Sequence, residues 1–178
     1  FNIFAQYNRN ITSFHLAEGP GGFIEAIQLL RLNNEDKYYG MTLINNKNLN
    51  VPGWKKSQQF LQKHPNVIIE SGIDKTGNLY NPDNFKYCRD TYGNSMDIIT
   101  GDGGFDFSID FNKQEELAFR LILSQVAYAI ALQRKGGTFI LKFFDTFMKP
   151  SVDIIYILSA FYNNVHIVKP QTSRYANS

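Results

Sequence analysis

Three features of the sequence combine residue types and spacing that could do chemistry. The first is the turn HLAEGPGGF (15–23), which holds three glycines and the carboxylate of Glu18 between an apolar stretch and a helical pattern. The others are Asp102, which follows the apolar run MDIITG, and Lys142, which lies inside the apolar run TFILKFF. A lysine in such a run is costly to bury unless a carboxylate pairs with it, so Asp102 is its expected partner. A purely structural ion pair is the alternative, but the placement of both residues at predicted strand ends near the glycine turn favours a functional site.

The glycine turn predicts a ligand that approaches the backbone, because glycine has no Cβ and tolerates positive φ. A phosphate-binding loop would carry Lys-Ser/Thr after its last glycine, where Phe23 and Ile24 stand, and this disfavours nucleoside-triphosphate hydrolysis. A dinucleotide-binding loop would need G-x-G-x-x-G and an acid after the second strand, which YYGMTLINN lacks. The third ligand class is S-adenosylmethionine (SAM), whose amino-acid end packs on a small-residue turn, and it fits best. A turn that only packs a helix tightly on a sheet remains the alternative.

The elements that must position these residues alternate along the chain between apolar runs and helical patterns. Strands are predicted at 11–17, 38–44, 66–72, 96–104, 138–144 and 165–170, and helices at 21–32, 53–64, 81–93, 115–137 and 151–164. Arg134 and Lys135 before Gly136 are typical of a helix end and set the end of the fourth helix. Repeated strand–helix alternation with continuous apolar strands predicts an α/β fold, with a mostly parallel central sheet and helices on both faces. Ligands of such folds bind beyond the carboxyl ends of the strands, where the glycine turn, Asp102 and Lys142 are expected to meet.

Composition narrows the class of function. The 178 residues are 43% hydrophobic, which is enough for one compact domain with a core, and the formal net charge of +2 is compatible with a polyanionic partner. A lone cysteine, Cys88, and three histidines far apart in sequence predict neither an internal disulfide nor a metal site. No apolar run reaches the ~20 residues of a membrane span, and an intracellular, reducing compartment is expected.

Four motifs in order carry a family resemblance. AEGPGGFIE, DGGFDFS, GGTFILKFFDTF and KPQTSRYANS together resemble the FtsJ-like, Rossmann-type RNA ribose 2′-O-methyltransferases. The residues of these motifs are similar to those of the cap-specific mRNA branch found in eukaryotes and large DNA viruses. The segment GIDKTGNLYNPDN also matches the segment after the third strand of that branch. The resemblance implies a single Rossmann-like SAM-dependent methyltransferase domain over residues 1–178, which we expect to be excised from a longer chain. It also implies SAM as cofactor, the 5′ end of capped mRNA as substrate, and other capping-enzyme domains as partners.

The resemblance further assigns residues to the site. The implied cofactor-binding residues are Ala17, Glu18, Gly19, Pro20, Gly21, Gly22, Phe23, Asn78, Leu79 and Asp102, and the implied RNA-binding residues are Asn112, Arg174 and Asn177. Asp102 and Lys142 match the aspartate and second lysine of the family's Lys-Asp-Lys-Glu catalytic tetrad, while the first lysine and the glutamate fall outside this stretch. Lys142 is expected to manage the proton of the ribose hydroxyl, either as a base with a lowered pKa or as a charged group that orients the hydroxyl. Glu18 is expected to face the positive amino end of SAM.

Other interpretations remain open at this point. The same chemistry could act on rRNA or tRNA, or the domain could be a non-catalytic SAM- or RNA-binding module of a capping protein. The expected location is the nucleus for a cellular protein, and a cytoplasmic factory or the virion for a viral one. His15 is expected to be a core histidine with its hydrogen bonds satisfied. Trp54 is expected to anchor an amphipathic helix in preference to stacking on RNA.

Overall fold

A five-stranded parallel sheet forms the centre of the computed structural model, which describes residues 3–45, 51, 53–104 and 113–171. The strands are β1 (Thr12–Leu16), β2 (Lys37–Met41), β3 (Val67–Glu70), β4 (Met96–Gly101) and β5 (Gln133–Leu141). They lie in the order β3-β2-β1-β4-β5, and every neighbouring pair is parallel. The chain therefore changes its direction of travel across the sheet between β1 and β4, and the carboxyl ends of these strands form the switch point where such folds bind ligands.

Helices cover both faces of the sheet, as the sequence predicts. They are α1 (Gly22–Arg31), α2 (Gln58–Lys63), α3 (Pro82–Tyr92), α4 (Gln114–Leu132) and α5 (Lys149–Phe161), with short 3-10 helices at Ile3–Gln6 and Lys55–Ser57. Consecutive residues of β4 point to opposite faces: Ile98 packs with Ile24 of α1, whereas Ile99 packs with Tyr128 of α4. The α5 helix packs on α4 through a third apolar cluster that includes Ile154.

The predicted end of the fourth helix at residue 137 is wrong. Helix α4 ends at Leu132, and β5 begins at once at Gln133, which pairs with Met96. Arg134 belongs to the strand and forms an ion pair with Asp97 at 3.2 Å. Gly136 has φ +78 within an irregularity of the β4–β5 pairing, so it serves the strand and is not a helix stop. Cations before a glycine suit a helix end, but here the Asp97 carboxylate on β4 pairs with Arg134 in the strand.

The predicted sixth strand at 165–170 is also wrong, because these residues form no strand in the structure. Val165, Ile167 and Val168 are exposed. An apolar run gives only a local preference for an extended chain, whereas a strand needs a backbone partner alongside it. The segment does not pair with β5, which is the edge strand of the described sheet. The remaining elements occupy their predicted places with ends that differ by a few residues, and the helix predicted at 53–64 divides into the 3-10 helix Lys55–Ser57 and α2.

Candidate functional site

The carboxyl ends of β1, β4 and β5 lie side by side and bring the predicted residues together. Leu16 is paired with Gly101 and Gly101 with Leu141, so the next residue of each strand leaves the sheet at the same edge. The backbone amide of Asp102 donates to the carbonyl of Leu16 at 3.3 Å, and that of Lys142 donates to the carbonyl of Gly101 at 2.9 Å. The pairing of the strands therefore fixes the backbone positions of both charged residues.

Asp102 and Lys142 form an ion pair at this edge. The ammonium nitrogen Nζ of Lys142 contacts Oδ1 of Asp102, with the two side chains 46% and 34% exposed. The same ammonium lies 5.6 Å from the centre of the Phe144 ring, within cation–π range. The ion pair predicted from the sequence is thus present. Both of its side chains are partly exposed at the carboxyl edge of the sheet.

The glycine turn after β1 packs closely against residues 53–57 of the same chain. A Cβ on Gly19 would collide with the carbonyl oxygen of Gly53, and one on Gly21, whose φ is +107, would stand 3.1 Å from the Trp54 ring. The hydroxyl of Ser57 donates to the Pro20 carbonyl and ties the same two segments together. Trp54 therefore anchors the segment that begins α2, as expected.

Gly22 differs from the other glycines of the turn. It is exposed, and a Cβ placed on it would meet no protein atom within 4 Å. Ala17, where the chain leaves β1, adopts the left-handed region with φ 53, and its amide donates to the Met41 carbonyl at 2.7 Å. Of the glycines in this turn, Gly22 is thus the one whose backbone a ligand can approach freely.

Glu18 caps helix α1. Its Oε1 accepts hydrogen bonds from the amides of Phe23 and Ile24, the latter at 3.0 Å, and its Oε2 accepts one from the Thr100 hydroxyl at 3.0 Å. The side chain is buried, and the N-cap position itself is Gly21, which has no side chain to offer. The carboxylate therefore stabilises the amino end of α1, and its contact with the amino group of SAM stays a prediction.

The segment after β3, which the resemblance assigns to adenosine, is held by its own hydrogen bonds. Oδ1 of Asn78 accepts from the amide of Tyr80 at 3.0 Å, and Leu79 is buried in the core. Asp74 accepts from Thr76, Asn81 and Asn84. Some desolvation would raise the pKa of Asp74, but these hydrogen bonds outweigh it and hold the pKa below its ordinary value. The segment is thus a preformed loop on the β3 side of the switch point.

Two supporting residues were missed by sequence reasoning. Gln125 of α4 is fully buried; its Oε1 accepts from the amide of Gly103 at 3.0 Å and its Nε2 donates to the Leu121 carbonyl at 3.1 Å. It therefore holds the turn that follows Asp102. Thr100 is also fully buried and holds Glu18. A glutamine within the apolar stripe of α4 was the available signal for the first, but nothing in the sequence pointed to the backbone group it binds.

Some predictions fall outside the described residues. Asn112, Arg174 and Asn177, assigned to RNA by resemblance, belong to the part of the chain that the structure leaves undescribed. Among residues 3–45, 51, 53–104 and 113–171, no cluster of three or more metal-ligating side chains is found. None of the helices in those same ranges has the length and apolar character needed to cross a membrane.

Comparisons with known proteins agree with this geometry. The model of the FtsJ-like methyltransferase family matches residues 1–178. The chain is 36% identical over 166 residues to cap-specific mRNA (nucleoside-2′-O-)-methyltransferase 1 of Trypanosoma cruzi, covering 90% of this chain and 43% of that protein. It is 34% identical over 166 residues to the human protein of the same name, again covering 90% of this chain but 19% of the relative. The chain thus spans less than half the length of these curated relatives.

A solved structure shows the same fold. A putative ribosomal RNA methyltransferase from Plasmodium falciparum superimposes with a TM-score of 0.62 at 18% identity, over 95% of this chain and 85% of that one. The match to the family model over the full chain agrees with the parallel sheet and its glycine turn. The chain belongs to the FtsJ-like methyltransferase family, whose members are SAM-dependent methyltransferases.

Proposed function

We propose that the protein transfers a methyl group from SAM to a ribose 2′-hydroxyl at the 5′ end of capped mRNA, which gives the cap 1 structure. The observation that carries the proposal is the Asp102–Lys142 pair, half exposed and next to the glycine turn at the switch point of the sheet. The printed names of the relatives that cover 90% of the chain supply the substrate class.

The residues at the switch point fit SAM. Gly22 leaves open space where a side chain would stand, so a small ligand can reach the turn's backbone. Asp102 offers a partly exposed carboxylate, which suits a ligand that carries a positive sulfonium and a positive amino group. When bound, SAM supplies a methyl group on sulfonium, so the overall reaction gives 2′-O-methyl ribose, S-adenosylhomocysteine and one proton.

Lys142 is the residue we place on the ribose hydroxyl. Its ammonium is anchored by Asp102 at the end of a strand and remains partly exposed, so it can donate a hydrogen bond to an oxygen that enters the crevice. A fixed positive donor orients the hydroxyl and stabilises the negative charge that develops on its oxygen during transfer. The contact with a carboxylate supports this role over that of a neutral base, and Asp102 then acts by fixing the ammonium.

The RNA substrate is tested with the full-length protein and SAM labelled in its methyl group. Three RNAs are compared: two with the same body, of which one carries a methylated guanosine cap and the other a 5′-triphosphate, and a third that is an rRNA stem-loop. The proposal predicts label in a 2′-O-methyl nucleoside next to the cap of the first RNA. Preferred methylation of either other RNA would move the assignment to a different RNA, and SAM binding without transfer to any of them would favour a non-catalytic module.

A further inference from the structure

A line of buried polar side chains lies between β1, β4 and the start of α1. Its members are Ser13, His15, Thr100 and Glu18, each at most 4% exposed. Ser13 Oγ lies 2.7 Å from His15 Nε2, and His15 Nδ1 lies 2.7 Å from Thr100 Oγ1. The Thr100 hydroxyl donates in turn to Glu18 Oε2 at 3.0 Å. Buried polar groups are kept only where they are paired, so four of them in a row demand an explanation.

The donor and acceptor roles are defined at the Thr100 end of the line. Because the Thr100 hydroxyl gives its proton to Glu18, its oxygen accepts from Nδ1–H of His15. His15 Nε2 lies within hydrogen-bond distance of the Ser13 hydroxyl, and the protonation of the imidazole decides which of the two donates. His15 Nδ1 also lies 3.1 Å from Glu18 Oε2. The line thus delivers hydrogen-bond donors to one oxygen of Glu18, while its other oxygen caps α1.

The line connects the two halves of the candidate site. His15 and Thr100 are direct partners in the pairing of β1 with β4. Glu18 holds the glycine turn on one side, and Thr100 precedes Asp102 by two residues on the other. A change in Thr100 therefore reaches the turn through Glu18 without any contact with the ligand space at Gly22.

We propose that Thr100 and His15 are positioning residues for SAM binding: they fix the Glu18 carboxylate against the amino end of α1, so that the turn is preformed with Gly22 open. This inference rests on the proposed function, since it takes the turn as the SAM site. A preorganised turn binds more tightly because less ordering accompanies binding. Residues with a structural role alone would alter the stability of the protein but not the affinity of its folded state for SAM.

Two substitutions of one residue separate these roles. Thr100→Val keeps the shape of the side chain but removes the hydroxyl, whereas Thr100→Ser keeps the hydroxyl and removes a methyl group. The dissociation constant of SAM is measured by calorimetry on the full-length protein, well below its melting temperature and without RNA. Thr100→Val is expected to raise the dissociation constant of SAM about tenfold, equivalent to ~1.4 kcal/mol. Thr100→Ser is expected to stay within about twofold of wild type, since the line remains complete. In turnover, Thr100→Val should raise KM for SAM and leave kcat nearly unchanged.

A matched control measures general destabilisation. Asp36→Asn disrupts a different buried network, with Arg31 at the opposite end of the sheet, and is expected to lower the melting temperature without changing SAM affinity. If Thr100→Val does not fold, Ser13→Ala serves instead, because it removes only the last hydroxyl of the line. Its expected effect is a rise of about threefold in the dissociation constant.

The outcomes distinguish this inference from the function on which it rests. A Thr100→Val or Ser13→Ala protein with a lowered melting temperature and wild-type affinity for SAM would overturn the positioning role and leave the proposed function standing. An equal loss of affinity in Thr100→Ser and Thr100→Val would also overturn it, since the hydroxyl would not be the cause. A wild-type protein that fails to bind SAM would overturn the proposed function itself.

Discussion

Asp102 and Lys142 leave neighbouring parallel strands at the same edge of the sheet and meet there, carboxylate to ammonium. Half-exposed ion pairs add little to stability, because solvent screens them and their side chains lose freedom. The position of this pair, beside an open glycine at the switch point, is the basis of the proposal that it acts on a ligand.

Removing the carboxylate is expected to impair methyl transfer because it releases the Lys142 ammonium from its position. Asp102→Asn should lower kcat by ~100-fold, within the usual range for a lost proton-managing or orienting group. The chain offers a matched control in Asp153, which pairs with Lys149 at 2.6 Å on the exposed side of helix α5. Asp153→Asn should leave kcat at the wild-type value. Equal rates in both variants would show that the pair at the switch point is structural.

The turn after Asp102 depends on Gln125. Gln125→Leu keeps the side-chain size but leaves the buried amide of Gly103 without its acceptor, at a cost of about 1–3 kcal/mol in the free energy of unfolding. We expect urea denaturation to show this loss and the methyl-transfer rate to fall with it. Ser124→Ala, at the preceding residue of the same helix, removes only an exposed hydrogen bond to the Arg120 carbonyl and should change stability by no more than about 0.5 kcal/mol. A Gln125→Leu protein of wild-type stability would contradict the assigned hydrogen bond.

Gly19 and Gly22 are expected to respond differently to the same substitution. Gly19→Ala places a Cβ against the Gly53 carbonyl and should destabilise the protein by about 1–3 kcal/mol. Gly22→Ala has open space and should keep or slightly raise the melting temperature, since alanine favours a helix. That methyl group enters the proposed SAM space, so the dissociation constant of SAM should rise at least about tenfold. Unchanged SAM affinity in Gly22→Ala would place the cofactor elsewhere.

Acid is expected to destabilise the fold in part through Asp36. Burial raises the pKa of this carboxyl, but hydrogen bonds from Arg31, Ile11 and Tyr38 outweigh burial and hold the pKa below its ordinary value. Since the unfolded value is ~3.9, the stabilising contribution is complete above that pH and is lost as the pH falls through the lower folded value. Asp36→Asn should therefore flatten the decline in unfolding free energy below pH ~4. Urea denaturation at pH 3–7 would measure the unfolding free energy of both proteins. A decline in Asp36→Asn as steep as that of wild type would contradict the stabilising role of the Asp36 carboxylate.

The sheet could be predicted from the sequence because its strands are continuous apolar runs separated by helical patterns. Residues 165–170 show the limit of that signal: they look like a strand in the sequence but form none in the structure. The cations near Gly136 show another limit, since Asp97 on β4 is the partner that assigns Arg134 to a strand. Local preference can be seen in a sequence, whereas the partner that satisfies or overrides it cannot.

The meeting of Asp102 and Lys142 could likewise be expected, because parallel strands end at one edge. The residues that support the site could not be predicted from the sequence. The contact of Glu18 with SAM stays a prediction, and the sequence did not indicate its partners in the structure, the amides of α1 and the hydroxyl of Thr100. Gly19 and Gly22 look alike in the sequence, and only the packing of residue 53 on the turn separates them.

The measurement that tests the central claim most directly is methyl transfer to capped RNA by the full-length Lys142→Ala protein, alongside its affinity for SAM. The expected result is a loss of at least ~100-fold in 2′-O-methyl product. The dissociation constant of SAM should stay within about twofold, since the glycine turn is untouched. Lys149→Ala, which removes an exposed lysine paired on α5, should keep the wild-type rate. Turnover by Lys142→Ala at the rate of Lys149→Ala would contradict the claim that the Asp102–Lys142 pair carries the reaction.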